Sequence, residues 1–270
     1  MTGALEDRDL ELSERQPPGG VHLEPSPRRV RVVFAGQVVA DSTRVMLMLE
    51  PRHLPVYYFP RADVRTDWLA PTDRRTDAPG KGEASYWTLK VGARSSENAA
   101  WAYLEPVAER PELKEYIAFY WDKVDHWFEE DDEVFVHPRD PYKRVDVLNS
   151  SRHVRIVVAG ETVAETRRPR LLFETGLPTR YYIPKLDVRM DLLIPSDKRT
   201  RCPYKGEAVY WSVKVGDTVE QDLVWSYPAP IPECPKIENL LAFFNEHVDA
   251  IYVDGEKAPV PKTPWSRPAR

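Results

Sequence analysis

The chain has 270 residues and a formal net charge of −5 at pH 7, with 38 Lys and Arg residues against 43 Asp and Glu residues. The charge balance is mildly acidic and the sequence has no basic block, which excludes nucleic-acid binding through a large positive surface. The sequence has no apolar run of about 18 residues, which a membrane-spanning helix needs, and residues 1–27 lack the apolar core of a secretion signal. We therefore expect a cytoplasmic protein with no nucleic-acid or membrane partner.

One long segment occurs twice, at a constant offset of 124 residues and without a gap. The run Lys-Gly-Glu-Ala-Ser-Tyr-Trp at 81–87 returns as Lys-Gly-Glu-Ala-Val-Tyr-Trp at 205–211. The repeat predicts two tandem domains of about 100 residues, a size at which a hydrophobic core can form. The predicted organisation is a disordered tail (1–28), a first repeat domain (29–136), a linker (137–152), a second repeat domain (153–256) and a Pro-rich tail (257–270).

Most elements of each copy are predicted as short β-strands, because apolar residues alternate between turn residues. Ala35-Gly36 predicts a hairpin between strands at 30–34 and 38–40, and its copy predicts the same hairpin at Ala159-Gly160. Further strands are predicted at 47–50, 56–59, 84–91, 101–103 and 125–128, with counterparts in the second copy.

One helix per unit is predicted near the end of each copy. Leu113, Tyr116, Ile117 and Tyr120 have the spacing i, i+3, i+4 and i+7 of an apolar helix face, and the second copy keeps this stripe. The predicted fold class is therefore mainly β with one helix per unit. It consists of two tandem copies of a small, curled, antiparallel domain.

Several charged residues are retained in both copies, although a solvated surface charge has no reason to be kept. Either they form ion pairs that hold a long connection in place, or they line a cleft that binds an anionic or polar ligand. The large aromatic residues Tyr210 and Trp225, also retained, belong either to the core or to the same cleft. The retained charges are Arg65/Arg189, Asp67/Asp191, Asp73/Asp197, Arg75/Arg199, Lys81/Lys205 and Glu83/Glu207.

A thiol and a tyrosine ring stand beside the retained lysine in the second copy alone, at Cys202 and Tyr204. A nearby cation such as Lys205 favours thiolate, which makes Cys202 a candidate nucleophile. The alternative is a half-buried cysteine without chemistry. Asp191 and Glu207 are the candidates for an acid–base pair.

Metal and cofactor sites are not predicted. No histidine is shared by the two copies and no Cys-x-x-Cys occurs, so the ligands of a repeated zinc site are missing. The Lys-Gly at 81–82 lacks the Gly-x-x-x-x-Gly-Lys-Ser/Thr pattern of a phosphate-binding loop. The two cysteines, 202 and 234, are predicted to be free thiols.

The second copy contains long specific runs, at 174–184, 187–193, 200–212, 224–228, 242–246 and 248–249. These runs resemble the bacterial family catalogued as domain of unknown function 427, and the first copy resembles it more loosely. The resemblance implies a compact β domain of the tent-like kind, which also occurs in small zinc-binding β folds. The family has also been filed under a nucleotidyltransferase label. In this sequence, the residues that would support that label are scattered carboxylates able to hold Mg²⁺. Arg201 stands where the family motif has His, so a His–Cys pair is not carried over.

Three functions are compatible with these residues. The first is a binding module that holds a small anionic or polar ligand, and the second is an enzyme that uses Cys202 or the Asp191 and Glu207 pair, including a nucleotidyltransferase-like activity. The third is a structural or protein-interaction role. Because both halves are joined in one chain, we expect a pseudo-dimer that is monomeric in solution. The predicted ligand-binding residues are Arg189, Arg199, Tyr204, Lys205, Tyr210, Trp225, Arg65, Asp67 and Lys81.

Overall fold

The chain folds into two compact units, Met1–Tyr142 and Lys143–Arg270. The structure, a computed structural model, describes residues 20–266. Both units are built from β-strands and short 3-10 turns, and no α-helix occurs among the described residues. No helix within that range is long and apolar enough to cross a membrane.

Over residues 20–142, which the structure describes, the first unit contains eleven strands and four 3-10 turns. The strands are β1 (His22–Pro25), β2 (Val30–Phe34), β3 (Gln37–Ser42), β4 (Met46–Leu49), β5 (Val56–Pro60), β6 (Leu69–Ala78), β7 (Gly82–Val91), β8 (Arg94–Pro106), β9 (Tyr116–Phe119), β10 (His126–Glu129) and β11 (Asp132–Val134). The 3-10 turns are Arg61–Asp63, Thr66–Trp68, Pro111–Glu115 and Trp121–Lys123.

The described part of the second unit, residues 143–266, also contains eleven strands, with three 3-10 turns. The strands are β12 (Val145–Asn149), β13 (Val154–Val158), β14 (Glu161–Thr166), β15 (Arg170–Glu174), β16 (Arg180–Ile183), β17 (Leu193–Cys202), β18 (Gly206–Val215), β19 (Thr218–Ser226), β20 (Leu241–Phe243), β21 (Ala250–Val253) and β22 (Glu256–Lys257). The 3-10 turns are Lys185–Asp187, Met190–Leu192 and Pro235–Ile237.

The two units share one sheet topology. Each has a seven-stranded antiparallel sheet, with the order β1-β4-β5-β9-β8-β7-β6 in the first unit and β12-β15-β16-β20-β19-β18-β17 in the second. Each also has a four-stranded sheet, β11-β10-β2-β3 or β14-β13-β21-β22. The mainly β prediction and the tandem duplication are therefore confirmed.

The seven-stranded sheet buries side chains on both of its faces. Successive residues of a strand point to opposite faces, so Tyr57 and Tyr58 of β5 enter two different clusters. Tyr57 and Phe59 pack with Trp127 of the small sheet. Tyr58 packs on the other face in an aromatic cluster with Tyr86 and other rings. The second unit repeats this division between a core shared by two sheets and an aromatic face.

The predicted helix is wrong in both units. In the first, Pro111–Glu115 forms a 3-10 turn and Tyr116–Phe119 forms β9, a central strand between β5 and β8. The second unit has the turn Pro235–Ile237 followed by β20 in its place. A central strand is buried on both faces and lacks strict alternation, so its apolar residues matched the helical spacing by coincidence.

Both units start earlier than the predicted boundaries. β1 lies within the predicted tail 1–28 but pairs with β4 of the first unit. In the same way, β12 lies within the predicted linker 137–152 but pairs with β15 of the second unit. These edge strands bury few side chains, so their hydropathy pattern is weak. At the other end, β22 reaches one residue into the predicted tail 257–270. Of the predicted tails, residues 1–19 and 267–270 lie outside the described residues.

The retained Lys-Gly pair has a structural reason. Gly82 and Gly206 both adopt φ +105°, and a Cβ at Gly82 would lie 2.9 Å from the backbone oxygen of Glu105. At Gly206 the corresponding distance, to Ala229 O, is 3.2 Å. Only glycine fits such an approach at this backbone angle without strain. The turn at Gly82 places the preceding residue, Lys81, beside the aromatic face of the seven-stranded sheet.

Candidate functional site

A buried lysine–glutamate pair lies at the aromatic face of each unit. Lys81 Nζ donates to Glu50 Oε2 at 2.5 Å, and Lys205 Nζ donates to Glu174 Oε2 at 2.6 Å. The side chains of Lys205 and Glu174 are 11% and 10% exposed. Removing one partner would leave an uncompensated buried charge. This explains why both copies retain lysine and glutamate at these positions.

Aromatic side chains pack around each pair with the same hydrogen bonds. Trp101 Nε1–H donates to Tyr58 Oη at 3.3 Å, and in the second unit Trp225 Nε1–H donates to Tyr182 Oη at 3.1 Å. The two sites therefore share one framework. A further hydrogen bond of 2.7 Å links threonine and tyrosine hydroxyls in both units, Thr76 with Tyr86 and Thr200 with Tyr210.

A cavity of about 530 Å³ opens on this framework in the first unit. Its lining combines the aromatic face of the seven-stranded sheet with three residues of the core shared by the two sheets, and with the segments 53–55, 121–122 and 136–138. The three core residues are Tyr57, Phe119 and Trp127. Its aromatic lining residues are Tyr57, Tyr58, Tyr86, Trp101, Tyr103, Phe119, Tyr120, Trp121 and Trp127. Its polar and titratable lining residues are Glu50, His53, Thr76, Lys81, Asp122 and His137.

The phenols of Tyr58, Tyr103 and Tyr120 are neutral hydrogen-bonding groups at neutral pH. Burial raises the pKa of Tyr103 to about 12. Burial and a hydrogen bond with Tyr86 raise the pKa of Tyr120 to about 12. Burial also holds the pKa of Tyr58 well above its usual value. The carboxylates and the ammonium of the lining are those of Glu50, Asp122 and Lys81.

The corresponding region of the second unit is filled by its own side chains. Arg180, at the position of Val56, donates from Nη1 and Nη2 to the two carboxylate oxygens of Glu246 at 2.7 and 2.6 Å. The two side chains are 7% and 0% exposed. The Arg180 guanidinium carbon lies 5.6 Å from the ring centres of both Trp225 and Trp265.

The segment after β22 closes over this buried pair. Thr263 Oγ1 donates to Glu246 Oε1 at 2.6 Å, and the backbone oxygen of Trp265 lies 2.7 Å from His247 Nε2. Burial raises the pKa of Glu246, but the hydrogen bonds from Arg180 and Thr263 outweigh it and lower the net pKa. The carboxylate is therefore ionised at neutral pH, and the pair is a satisfied structural unit.

The structure brings four of the residues predicted from the sequence together. Lys205 lies beside an apolar cluster that contains Tyr210 and Trp225, with half-buried Cys202 packed against it. The Lys205 N–H donates to the Cys202 carbonyl across the turn that holds Tyr204. Cys234 lies in the same cluster, and burial raises its pKa to about 11. In the first unit, Lys81 is the one predicted residue that lines the cavity.

The other predicted residues lie on the surface in local contacts. Arg189 donates to both carboxylate oxygens of Asp191 at 2.9 and 2.6 Å, with both side chains more than half exposed. Arg65 and Asp67 form the same pair in the first unit. Arg199 donates to two backbone oxygens at the irregularity in β17.

Asp191 and Glu207 do not meet. Glu207 lies opposite Arg201, which donates to it at 3.0 Å near the end of β17. Asp191 precedes the start of that strand. The length of β17 therefore separates Asp191 and Arg189, before its start, from Glu207 and Lys205, near its end.

Sequence reasoning missed the residues that distinguish the two sites. These are Val56 and Asp122 in the first unit and Arg180 and Glu246 in the second. The sequence did contain a signal for these residues: the second copy has an arginine at the first position of a buried strand, where the first copy has valine. Its partner lies 66 residues further along, and no local spacing connects the two. Among the described residues, no group of three His, Cys, Asp or Glu side chains is arranged to hold a metal ion.

The fold and the site define a class: a mainly β protein of two tandem two-sheet units, each with a buried lysine–glutamate pair beneath an aromatic face. The chain belongs to the family described as "Domain of unknown function (DUF427)", whose model matches residues 22–130 and again residues 146–254. The two matches coincide with the two units. None of the curated proteins compared with the chain matches it.

Proposed function

We propose that the protein is a small-molecule-binding module whose ligand site is the aromatic cavity of the first unit. The observation that carries this proposal is the cavity itself. Its volume of about 530 Å³ lies within the range of about 300–1,000 Å³ that is usual for ligand sites. Aromatic walls with a few polar groups are also the usual composition of such sites.

The comparison between the two units supports the proposal. Both keep the lysine–glutamate pair and the Trp–Tyr hydrogen bond, so the framework has a structural role in each. In the second unit, Arg180 and Glu246 occupy the corresponding region. In the first unit, Val56 and Asp122 line an open cavity instead.

Ligand-observed NMR on the full chain tests the proposal, with a mixture of neutral, cationic and anionic fragments. Tryptophan fluorescence gives a second readout, because Trp101, Trp121 and Trp127 line the cavity. The blocking variant is Val56→Arg, which introduces the side chain that fills the second unit. The matched control is Val38→Arg, which places the same charge on an exposed strand position.

We expect fragments to bind the wild-type chain and the Val38→Arg variant, and to lose binding in the Val56→Arg variant. Fragments that bind all three proteins equally would show that the ligand site is elsewhere. Failure of every fragment to bind the wild-type chain would refute the proposed function.

The other functions have weaker support. The anionic ligand expected in the second unit remains a prediction, but Arg189 and Lys205 already have carboxylate partners. Catalysis by Cys202 also remains a prediction, and it requires the half-buried thiol to react in the folded protein. We further propose that the chain is a monomer, since both copies are covalently joined. Sedimentation of a dimer at micromolar concentration would contradict this.

A further inference from the structure

The second unit contains a complete binding site for a guanidinium group, occupied by its own arginine. Arg180 makes two hydrogen bonds of 2.7 and 2.6 Å to Glu246, in the bidentate geometry that favours guanidinium over ammonium. Trp225 and Trp265 lie at equal distances of 5.6 Å from its central carbon. Indole rings attract cations through their negative faces. Carboxylate and indole are therefore the chemistry that holds this cation.

The first unit keeps a carboxylate and one indole at the corresponding positions but lacks the arginine and a counterpart of Trp265. Val56 opens β5 opposite Met48, just as Arg180 opens β16 opposite Leu172. Trp101 has the position of Trp225, and each pairs with an alanine of the neighbouring central strand. Asp122 has the position of Glu246, at the repeat offset of 124 residues, but its side chain is exposed where that of Glu246 is buried. Val56, Trp101 and Asp122 all line the cavity.

The charges of the cavity favour a cation as well. Its lining contains two carboxylates, Glu50 and Asp122, against one ammonium, that of Lys81. Lys81 and Glu50 neutralise each other in their buried pair. The carboxylate of Asp122 makes no ion pair with another described residue. Counting only the carboxylates and the ammonium, the remaining charge of the lining is negative.

We propose that the ligand of the first unit is an organic cation with a guanidinium group, held between the Trp101 ring and the Asp122 carboxylate. This inference rests on the proposed function and names its ligand class. The second unit supplies the same cation from its own chain and needs no ligand from solution.

Calorimetric titration of the full chain tests the inference with three probes of similar size. N-propylguanidinium reproduces the end of an arginine side chain, N-propylurea is its neutral counterpart of the same shape, and butanoate is an anion of similar length. We expect N-propylguanidinium to bind about tenfold more tightly than N-propylurea, since it adds charge-assisted hydrogen bonds and a cation–π contact. Butanoate should bind most weakly.

The Asp122→Asn variant identifies the contact. We expect it to weaken N-propylguanidinium binding about tenfold and to leave N-propylurea binding unchanged. Equal or tighter binding of N-propylurea or butanoate to the wild-type chain would overturn the ligand class while leaving the proposed function standing. Absence of binding by all three probes, together with failure of the fragment screen, would overturn both.

Chemical rescue in the second unit provides an independent measurement. The Arg180→Ala variant removes the internal cation and should lower the melting temperature of the second unit. Millimolar N-propylguanidinium should restore part of the loss, whereas N-propylurea should not. Equal rescue by both compounds would show that shape rather than charge is recognised, and would overturn the inference.

Discussion

Replacement of Arg180 by Met is expected to destabilise the second unit strongly. The substitution keeps an apolar side chain of similar length but leaves the Glu246 carboxylate, 0% exposed, with only the Thr263 hydroxyl as a side-chain donor. It removes two hydrogen bonds to a charged group, each contributing about 1.5–3 kcal/mol. Breaking a buried ion pair by removing one partner costs about 3–5 kcal/mol. We expect a loss in that range.

The surface pair Arg189–Asp191 provides a matched control. Its hydrogen bonds of 2.9 and 2.6 Å resemble the 2.7 and 2.6 Å bonds of the buried pair. The two pairs differ in burial, because both surface side chains are more than half exposed. An exposed pair is screened by solvent and contributes little. Arg189→Met is therefore expected to leave the stability of the unit almost unchanged.

The destabilisation should also depend on pH. The folded-state pKa of Glu246 lies below its ordinary value of 4.5, so the pair contributes fully above about pH 4.5 and its contribution is lost as the pH falls through the folded-state pKa. In the Arg180→Met variant, protonation of Glu246 removes the buried charge. The difference in stability between wild type and variant should therefore shrink between pH 7 and pH values below 4.5.

Urea unfolding of the full chain measures these effects, and hydrogen exchange of the β16 and β20 amides assigns them to the second unit. The double variant Arg180→Met/Glu246→Leu should recover most of the loss, because it removes both charges. An Arg180→Met variant no less stable than Arg189→Met would refute the reasoning. So would a loss that does not change with pH.

Three further outcomes follow from the turn, the thiols and the lysine pair. Gly82→Ala should lower the free energy of unfolding in urea by about 3 kcal/mol, because it adds backbone strain and a close contact with the Glu105 oxygen. Gly36→Ala, with open space around the new Cβ, should lower it by about 1 kcal/mol. Equal losses would contradict the steric argument. Alkylation at pH 8 followed by mass spectrometry should label Cys202 and spare Cys234, whose pKa burial raises to about 11; labelling of both would contradict the packing. Lys205→Met should lower the free energy of unfolding by about 3–5 kcal/mol, and additional replacement of the paired glutamate by Leu should restore most of that loss. A single variant as stable as the double variant would contradict a buried ion pair.

The sequence was sufficient for the mainly β class and the tandem organisation. A constant offset of 124 residues shows the duplication directly, and the Ala35-Gly36 turn lies between β2 and β3 as predicted. The helix prediction failed for a physical reason: β9 is buried on both faces, so its residues follow burial rather than a strand period. Agreement between the copies gave no independent support, because duplication copies a misleading pattern together with the sequence.

The candidate site could be predicted only in part. Retention singled out Lys81 and Lys205, which the structure shows to be buried and paired with glutamates, because a lysine is almost never buried without a partner. Retention did not separate them from Arg189 and Arg65, whose ion pairs are local and exposed. The decisive difference is a position where the copies disagree, Val56 against Arg180. Its meaning depends on a partner brought close only by the fold.

The filling of one site by its own arginine gives the two units different sources of stability. A cation tethered to the chain is always present, so the Arg180–Glu246 pair contributes to the second unit at every ligand concentration. A dissociable ligand stabilises the first unit by an amount that grows with the logarithm of the ratio of free ligand concentration to dissociation constant. Under the proposed function, heating the chain with increasing ligand should move one melting transition and leave the other in place. The abundance of intact first unit in a cell would then report the supply of that ligand, with the second unit as its fixed internal reference.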